Sequence, residues 1–492
     1  MNTAINQLIQ YGLQNELIHE DDIAYVANRL LDLFGLTEFE YEKGNGERVA
    51  LVPVLETMLA KAIEQGKIEN TTTEKDLFDT RIMDILTPRP HEVVRTFEAY
   101  EQEDAQKATD WYYALSVNTN YIRMDRIQKN IEFTTPSRYA PMRITINLSK
   151  PEKDPKEIAK AKQVASTNYP KCLLCKENVG FAGNASHPAR QNHRVIPLDL
   201  KNGRYDLQYS PYVYYNEHCI VFNEQHVPMK IDRETFENLF AFVRRFPHYM
   251  AGSNTDIPIV GGSILSHDHY QGGRAHFPIE DAKSFANVTI DGCQGELLVW
   301  PLSTIRLHDT DPDKLVDASV HVLEAWKRYE DLSRDIVPYT GSERHNAITP
   351  IVRFRNGRYE VDLVLRNNRT SAQYPDGIFH PHPEHHHIKK ENIGLIEVMG
   401  LAILPGRLKD ELAEIERVLR KETTLENARG IEHHKPWVRE LLAKPWKDDV
   451  HEALRQEVGH KFVQVLENAG VFKMDADGQA GMLQFIEFVQ EN

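Results

Sequence analysis

Apolar residues recur at helical spacing through the early part of the chain. Ile23, Val26, Leu30 and Phe34 form one stripe, because positions three and four apart share a helix face. Leu51 to Ile63 repeats the pattern, and Gly66 stands just beyond it, where a left-handed residue commonly stops a helix. Ala105 to Leu115 is a third such segment. Residues 1–134 therefore read as a mostly helical N-terminal extension, expected to act as a cap or an oligomerisation module. His91-Glu92 lacks the second histidine of a zinc-protease motif, so no catalytic constellation emerges here.

The period changes near Tyr139. Met142 to Leu148 alternates and predicts a strand, ended by Pro151, with a basic stretch at Lys150, Lys153 and Lys156. Asn202-Gly203 sits between alternating segments and predicts a hairpin. Tyr212 to Phe222 is aromatic and β-branched, which predicts another strand. Asp232 to Phe246 predicts an amphipathic helix, with Phe236, Leu239, Phe240 and Val243 inward. Further on, Leu297 to Leu307 predicts a strand and Asp313 to Ser333 a helix. Ile348 to Leu365 predicts a hairpin across Asn356-Gly357, Ile393 to Leu404 a buried strand, and Lys409 to Lys421 a helix. The tail to Asn492 reads as helical. Strand, hairpin, strand, helix and strand thus recur in two stretches, which sets expected boundaries at 135–280 and 281–430, with a helical tail at 431–492.

Composition narrows the function classes. The 492 residues are 41% apolar and 27% charged, a soluble globular balance with length for several domains. The net charge of -15 disfavours a nucleic-acid partner, which needs a broad basic surface. A small anionic substrate needs only a local positive pocket and stays open. Met1 to Gln10 has no basic patch followed by an apolar run, no stretch is apolar enough to span a bilayer, and four cysteines make no disulfide framework. A cytoplasmic setting and no membrane partner are expected. The 22 histidines suit metal ligation and phosphoryl chemistry near neutral pH.

The densest chemistry lies at residues 261–274, Gly-Gly-Ser-Ile-Leu-Ser-His-Asp-His-Tyr-Gln-Gly-Gly-Arg. On an extended strand, His267, His269 and Gln271 share one face, and the flanking glycines let another group approach. Such a face suits a phosphate or a metal. Cys172 and Cys175 form a CxxC, which is half a zinc site, a redox pair or an incidental loop. Completing it with His226, after a strand, and His267 would give a Cys2His2 set. That leaves His269 free. A neutral imidazole can attack phosphorus to form a phosphoramidate, which suits ping-pong nucleotidyl transfer. Gln271, Ser263 and Ser266 could donate to a non-bridging phosphate oxygen. Taken alone, a His-x-His on a strand is more often a metal pair or a packed polar edge than a nucleophile; the glycine frame and the independent CxxC bring the two readings level.

Other polar groups add to the set. Asn254 and Asp256 could contact a nucleotide. Arg353, Arg366 and Arg369, on or near the second hairpin, could balance substrate phosphates. His380, His382, His385, His386 and His387 crowd one loop, and the i, i+2 pair His385 and His387 suggests a second metal. No Walker A loop, GxSxG elbow or dinucleotide fingerprint is present.

The run from Gly261 to Gln271 resembles the active-site signature of the galactose-1-phosphate uridylyltransferase family, a branch of the histidine-triad superfamily, usually written Gly-Cys-Ser-Asn-Pro-His-Pro-His-Gly-Gln. Asp268 and Tyr270 depart from it, and the residues before His267 are altered. The resemblance covers residues 135 to 430, and the helical N-terminus with the histidine-rich segment is similar to the second, Gram-positive-type class. It implies an α+β fold of two histidine-triad-like halves with antiparallel sheet. It implies uridylyl transfer between UDP-glucose and galactose 1-phosphate, with His269 carrying the uridylyl group beside Gln271. It also implies a structural zinc on Cys172, Cys175, His226 and His267, phosphate contacts at Lys150 and Lys153, a sugar contact at Glu397, a second metal near His385 and His387, and a homodimer. The rival readings are a related sugar-nucleotide phosphorylase or nucleotidyltransferase, and a non-catalytic metal-binding regulator.

Overall fold

In the computed structural model the described residues are 1–149, 168–262, 264–445 and 449–492. Lys150, Lys153 and Ser263 lie outside them. The chain divides into two units. One comprises Met1–Lys129, Ser149–Asp199 and Arg204–His226; the other comprises Asn130–Leu148, Leu200–Gly203 and Val227–Asn492.

In the first unit the expected stripes become helices at Ile23–Phe34, Leu51–Glu64 and Ala105–Asn118, joined by Asn2–Gln14, Thr72–Asp84 and Pro90–Glu103. Gly66 ends its helix as expected. At φ 67° it lets its own N–H reach Ile63 O and the Lys67 N–H reach Ala62 O, both at 2.9 Å. The Asp104 carboxylate caps Ala105–Asn118, accepting from the Gln106 and Lys107 N–H groups at 2.6 and 3.1 Å. Glu92 of the His91-Glu92 pair accepts from the Arg89 N–H at 2.9 Å, so it starts a helix. Tyr112 and Tyr121 tie this layer to the strands: their hydroxyls donate to Leu207 O at 3.2 Å and Tyr209 O at 2.9 Å.

Those strands are Ile196–Leu200, Gly203–Tyr209 and Cys219–Asn223, side by side in that order. The strand expected over Tyr212 to Phe222 is corrected to its last part. Val213 and Glu217 take φ of 43° and 53°, which no strand tolerates, and the Tyr212 and Tyr214 rings stack 5.8 Å apart in the resulting turn.

The second unit holds an antiparallel run of neighbouring strands in the order His269–Gly273, Met250–Gly252, Asn346–Arg355, Arg358–Asn367, Thr304–Asp309, Cys293–Leu298, Ser284–Ile290. The long hairpin turns at Asn356 and Gly357, with φ of 53° and 74°, the primed-turn geometry that Asn-Gly favours. Arg233–Arg245 packs on this sheet with Phe236, Leu239, Phe240 and Val243 buried, as expected. Pro312–Trp326 also packs on it, capped by the Asp311 carboxylate. A smaller sheet pairs Met142–Asn147 with Ile131–Thr135 antiparallel and with Leu401–Pro405 parallel. Val450–Ala469 and Ala476–Glu491 make the helical tail.

Three expectations fail here for local reasons. Leu297 to Leu307 is two strands, because Pro301 lacks a ladder donor and Trp300 turns inward to donate to Val398 O at 2.9 Å. The helix expected to reach Ser333 stops at Trp326, and Asp331 caps a separate short turn, Leu332–Arg334. Ile393 to Leu404 is a helical turn, Leu395–Val398, then a strand from Leu401; Gly400 at φ 95° makes the break. Within 261–274 the strand is His269–Gly273, which leaves His267 at its rim.

Buried charge crosses the sheet. Asp362 accepts from Arg306 and Arg353, both at 2.6 Å, and Arg355 reaches Glu360 at 2.5 Å. Arg353 is therefore committed to a carboxylate, and Arg369 lies 3.4 Å from Asp335.

Candidate active site and metal centre

The CxxC is shaped by its own backbone. The Cys175 N–H donates to Cys172 O at 3.3 Å, and the Asn178 amide donates to both Cys172 O and Cys175 O at 2.8 Å. This sets the two Sγ atoms 3.5 Å apart, too far for a disulfide. Two sulfurs at about 2.3 Å from one tetrahedral ion would lie roughly 3.8 Å apart, so the spacing fits a shared metal. Cys175 Sγ is also 3.2 Å from His226 Nδ1. One ligand atom from each of Cys172, Cys175, His226 and His267 lies within 4.8 Å of the others, a group able to hold a metal ion. Burial, with the neighbouring Cys172 thiol, pushes Cys175 up to about 11, and a bound dication is what would reverse that.

The segments after His226 and before His269 run together. Val227 O accepts from the Asp268 N–H at 2.7 Å, and Leu265 O accepts from the Met229 N–H at 2.9 Å. Asp268, unexplained by the family pattern, thus uses its backbone to hold the His267 turn. Gly262 is needed here: a Cβ would come within 2.5 Å of Asn254 Nδ2.

His269 opens its strand and is buried. Its Nδ1 donates to His267 O at 2.7 Å, so Nε2 carries the lone pair. Burial pushes its pKa down to about 4, which keeps the ring neutral at pH 7. Gln271 is half-buried two residues on, opposite Gly252 in the sheet. Ser266 is exposed in the preceding turn.

Asn254, Arg366 and Glu397 meet around one segment. Asn254 Oδ1 accepts from the Leu395 N–H at 2.8 Å, Arg366 donates to Ile393 O at 2.8 Å, and Glu397 accepts from the Gly394 N–H at 3.3 Å. Arg366 is buried on Thr349 Oγ1 at 3.2 Å, and burial pushes it down to about 10 against the pull of Glu397. Lys389, not foreseen, belongs with them: it is 5% exposed and donates to Glu397 Oε1 at 3.0 Å. Nothing in Lys389-Lys390-Glu391 distinguishes it from a solvated surface run.

The histidine-dense loop is folded rather than solvated. His380 bonds Asn392 at 3.1 Å, His382 stacks on Tyr374 at 4.1 Å, and His386 bonds Pro381 O at 2.8 Å. His385 and His387 are both buried, but His387 meets His434, Nδ1 to Nδ1 at 2.8 Å. A second group able to hold a metal consists of Glu411, His433 and His434. Among the described residues, no helix is long and apolar enough to cross a membrane.

The N-terminal domain model of galactose-1-phosphate uridyl transferase matches residues 16–228, and the C-terminal domain model matches 241–437. A galactose-1-phosphate uridylyltransferase of Clostridium acetobutylicum is 51% identical, covering 99% of this chain and 100% of its own. One from Bacillus subtilis is 46% identical over 98% of this chain and 96% of its own. A crystal structure of a yeast Ap4A phosphorylase aligns with a TM-score of 0.31 and 13% identity over 62% of this chain and 90% of that one. Two domain models matched in order, and relatives alike from end to end, make this chain a member of the galactose-1-phosphate uridylyltransferase family, hence a nucleotidyltransferase.

Proposed function

We propose that the protein moves a uridylyl group from UDP-glucose to galactose 1-phosphate in two displacements, with His269 as carrier. The observation that supports this most is the His269 ring itself. It is neutral, its Nδ1–H is bound to His267 O, and its Nε2 lone pair is left for attack.

In the first half, Nε2 attacks the α-phosphorus of UDP-glucose. An N–P bond forms as the P–O bond to glucose 1-phosphate breaks, and that leaving group departs as the anion. The His267 carbonyl then faces a cationic ring and steadies it. In the second half, a phosphate oxygen of galactose 1-phosphate attacks the same phosphorus. The N–P bond breaks, UDP-galactose leaves, and His269 is again neutral. Gln271 donates to a non-bridging oxygen as charge builds there. Asn254, Arg366 and Glu397 hold substrate, with Glu397 on a sugar hydroxyl and Lys389 keeping its carboxylate oriented. Lys150, Lys153, Ser263 and Ser266 are proposed phosphate contacts.

The metal proposed for Cys172, Cys175, His226 and His267 is zinc. With all four ligands supplied by the protein, its contribution is to brace the His267 turn, and no ligand position is left for substrate.

Incubating the protein with UDP-glucose alone and mapping the product by mass spectrometry tests the reading. A uridylyl adduct on His269, with one glucose 1-phosphate released per chain, is expected. Turnover without any such adduct would sink it.

A further inference from the structure

Helix Leu408–Leu419 carries Glu411, and the short turn Glu432–His434 carries two adjacent histidines. Their donor atoms converge. His434 Nε2 lies 2.8 Å and His433 Nε2 3.4 Å from Glu411 Oε2. Arg407 Nη1 sits among them, 2.6 Å from Glu411 Oε2 and 3.0 Å from His433 Nε2. A guanidinium only donates, so His433 Nε2 turns a lone pair toward this point. Two imidazoles and a carboxylate around one cationic position are the ligand chemistry of a divalent first-row metal with open coordination sites. The guanidinium is bonded to two of the three ligand atoms that such an ion would need, Glu411 Oε2 and His433 Nε2.

We propose that Glu411, His433 and His434 form a divalent transition-metal site for which Arg407 is the built-in competitor. The site shares no residue with the Cys172 group. His387 supports it from behind. The His434 Nδ1 faces His387 Nδ1 at 2.8 Å, and His387 Nε2 is buried with no hydrogen-bond partner among the described residues. Without metal, His434 Nε2–H donates to Glu411 and the proton between the two Nδ1 atoms belongs to His387. When the ion takes His434 Nε2, that ring carries its proton on Nδ1 and donates to His387, which carries its own on Nε2. Both rings exchange tautomer and the total proton count is unchanged. A hydrogen bond on the far nitrogen is the usual way a metal-binding imidazole is held. In this site His387 is a positioning residue, and the ligands come from segments 24 and 46 residues further along.

The test uses the full-length protein titrated with Co2+, with bound metal counted by equilibrium dialysis and the visible absorbance recorded. The wild type is expected to bind one equivalent more than His433→Ala and Glu411→Gln. His433 is 44% exposed, so its truncation leaves the fold intact and carries the test if the Glu411 variant is unstable. Arg407→Met is expected to tighten that equivalent by removing the competing cation, and His387→Phe to weaken it about 10–100-fold. Equal stoichiometry in the wild type and His433→Ala, or no tightening in Arg407→Met, would overturn the proposal.

Discussion

The Nδ1–H of His269 donates to the carbonyl of His267 at 2.7 Å. One short bond therefore couples a residue suited to metal binding with a residue suited to attack on phosphorus. It fixes the tautomer of the second while the first is held in its turn. Replacing His269 by Ala removes the Nε2 lone pair. Turnover is expected to fall by roughly a millionfold, the scale at which removal of a nucleophile is felt. A coupled assay for UDP-galactose measures it, and activity near wild type would exclude His269 as carrier.

Gln271 is expected to act only as charge develops. Gln271→Leu should lower kcat about 10²–10³-fold while leaving KM for UDP-glucose nearly unchanged. A rise in KM at constant kcat would instead make Gln271 a ground-state contact.

The metal group gives a stability prediction. Cys172→Ser should purify with less bound zinc than the wild type and unfold at lower temperature, because binding at a structural site contributes directly to folding. Elemental analysis with calorimetry decides it; unchanged metal content would detach Cys172 from the site.

Lys389 and Glu397 form a buried pair at 3.0 Å, with both side chains largely shielded from water. Lys389→Met leaves the Glu397 carboxylate buried without its cation, a cost of about 3–5 kcal/mol. Lys389→Met combined with Glu397→Gln should recover part of that stability but not the affinity for galactose 1-phosphate. Urea unfolding and KM, measured on the wild type and both variants, separate the two effects.

Asp362 supplies the acid dependence. Burial alone would raise its carboxyl, but the Arg306 and Arg353 guanidinium groups hold it well below the usual carboxylate range. A depressed folded pKa stabilises fully above the unfolded value, and that contribution disappears as pH falls through the folded one. The urea midpoint of Asp362→Asn should thus lie far below wild type at pH 7. The gap should narrow progressively below about pH 5. A gap that stays constant on acidification would contradict the assignment.

Much of the architecture was legible from local pattern. The stripes Ile23 to Phe34 and Leu51 to Ile63, the stop at Gly66 and the Asn356-Gly357 turn all follow from preferences acting within a few residues. Two of the strand expectations failed where one or two residues overruled the composition around them: Val213 and Glu217 with positive φ in one, Pro301 in the other.

By itself the sequence singled out the candidate donors near residues 172 and 269, because CxxC and His-x-His place their donors within one turn of chain. Only the tertiary structure decided which distant groups join them. Lys389 looks like any solvated lysine until Glu397 is brought beside it, and His387 looks like half of a local pair until His434 meets it. The reason is physical. Local dihedral preference and hydrophobic period fix an element and its inward face, whereas a buried polar contact depends on how separate elements pack, which no short window of sequence encodes.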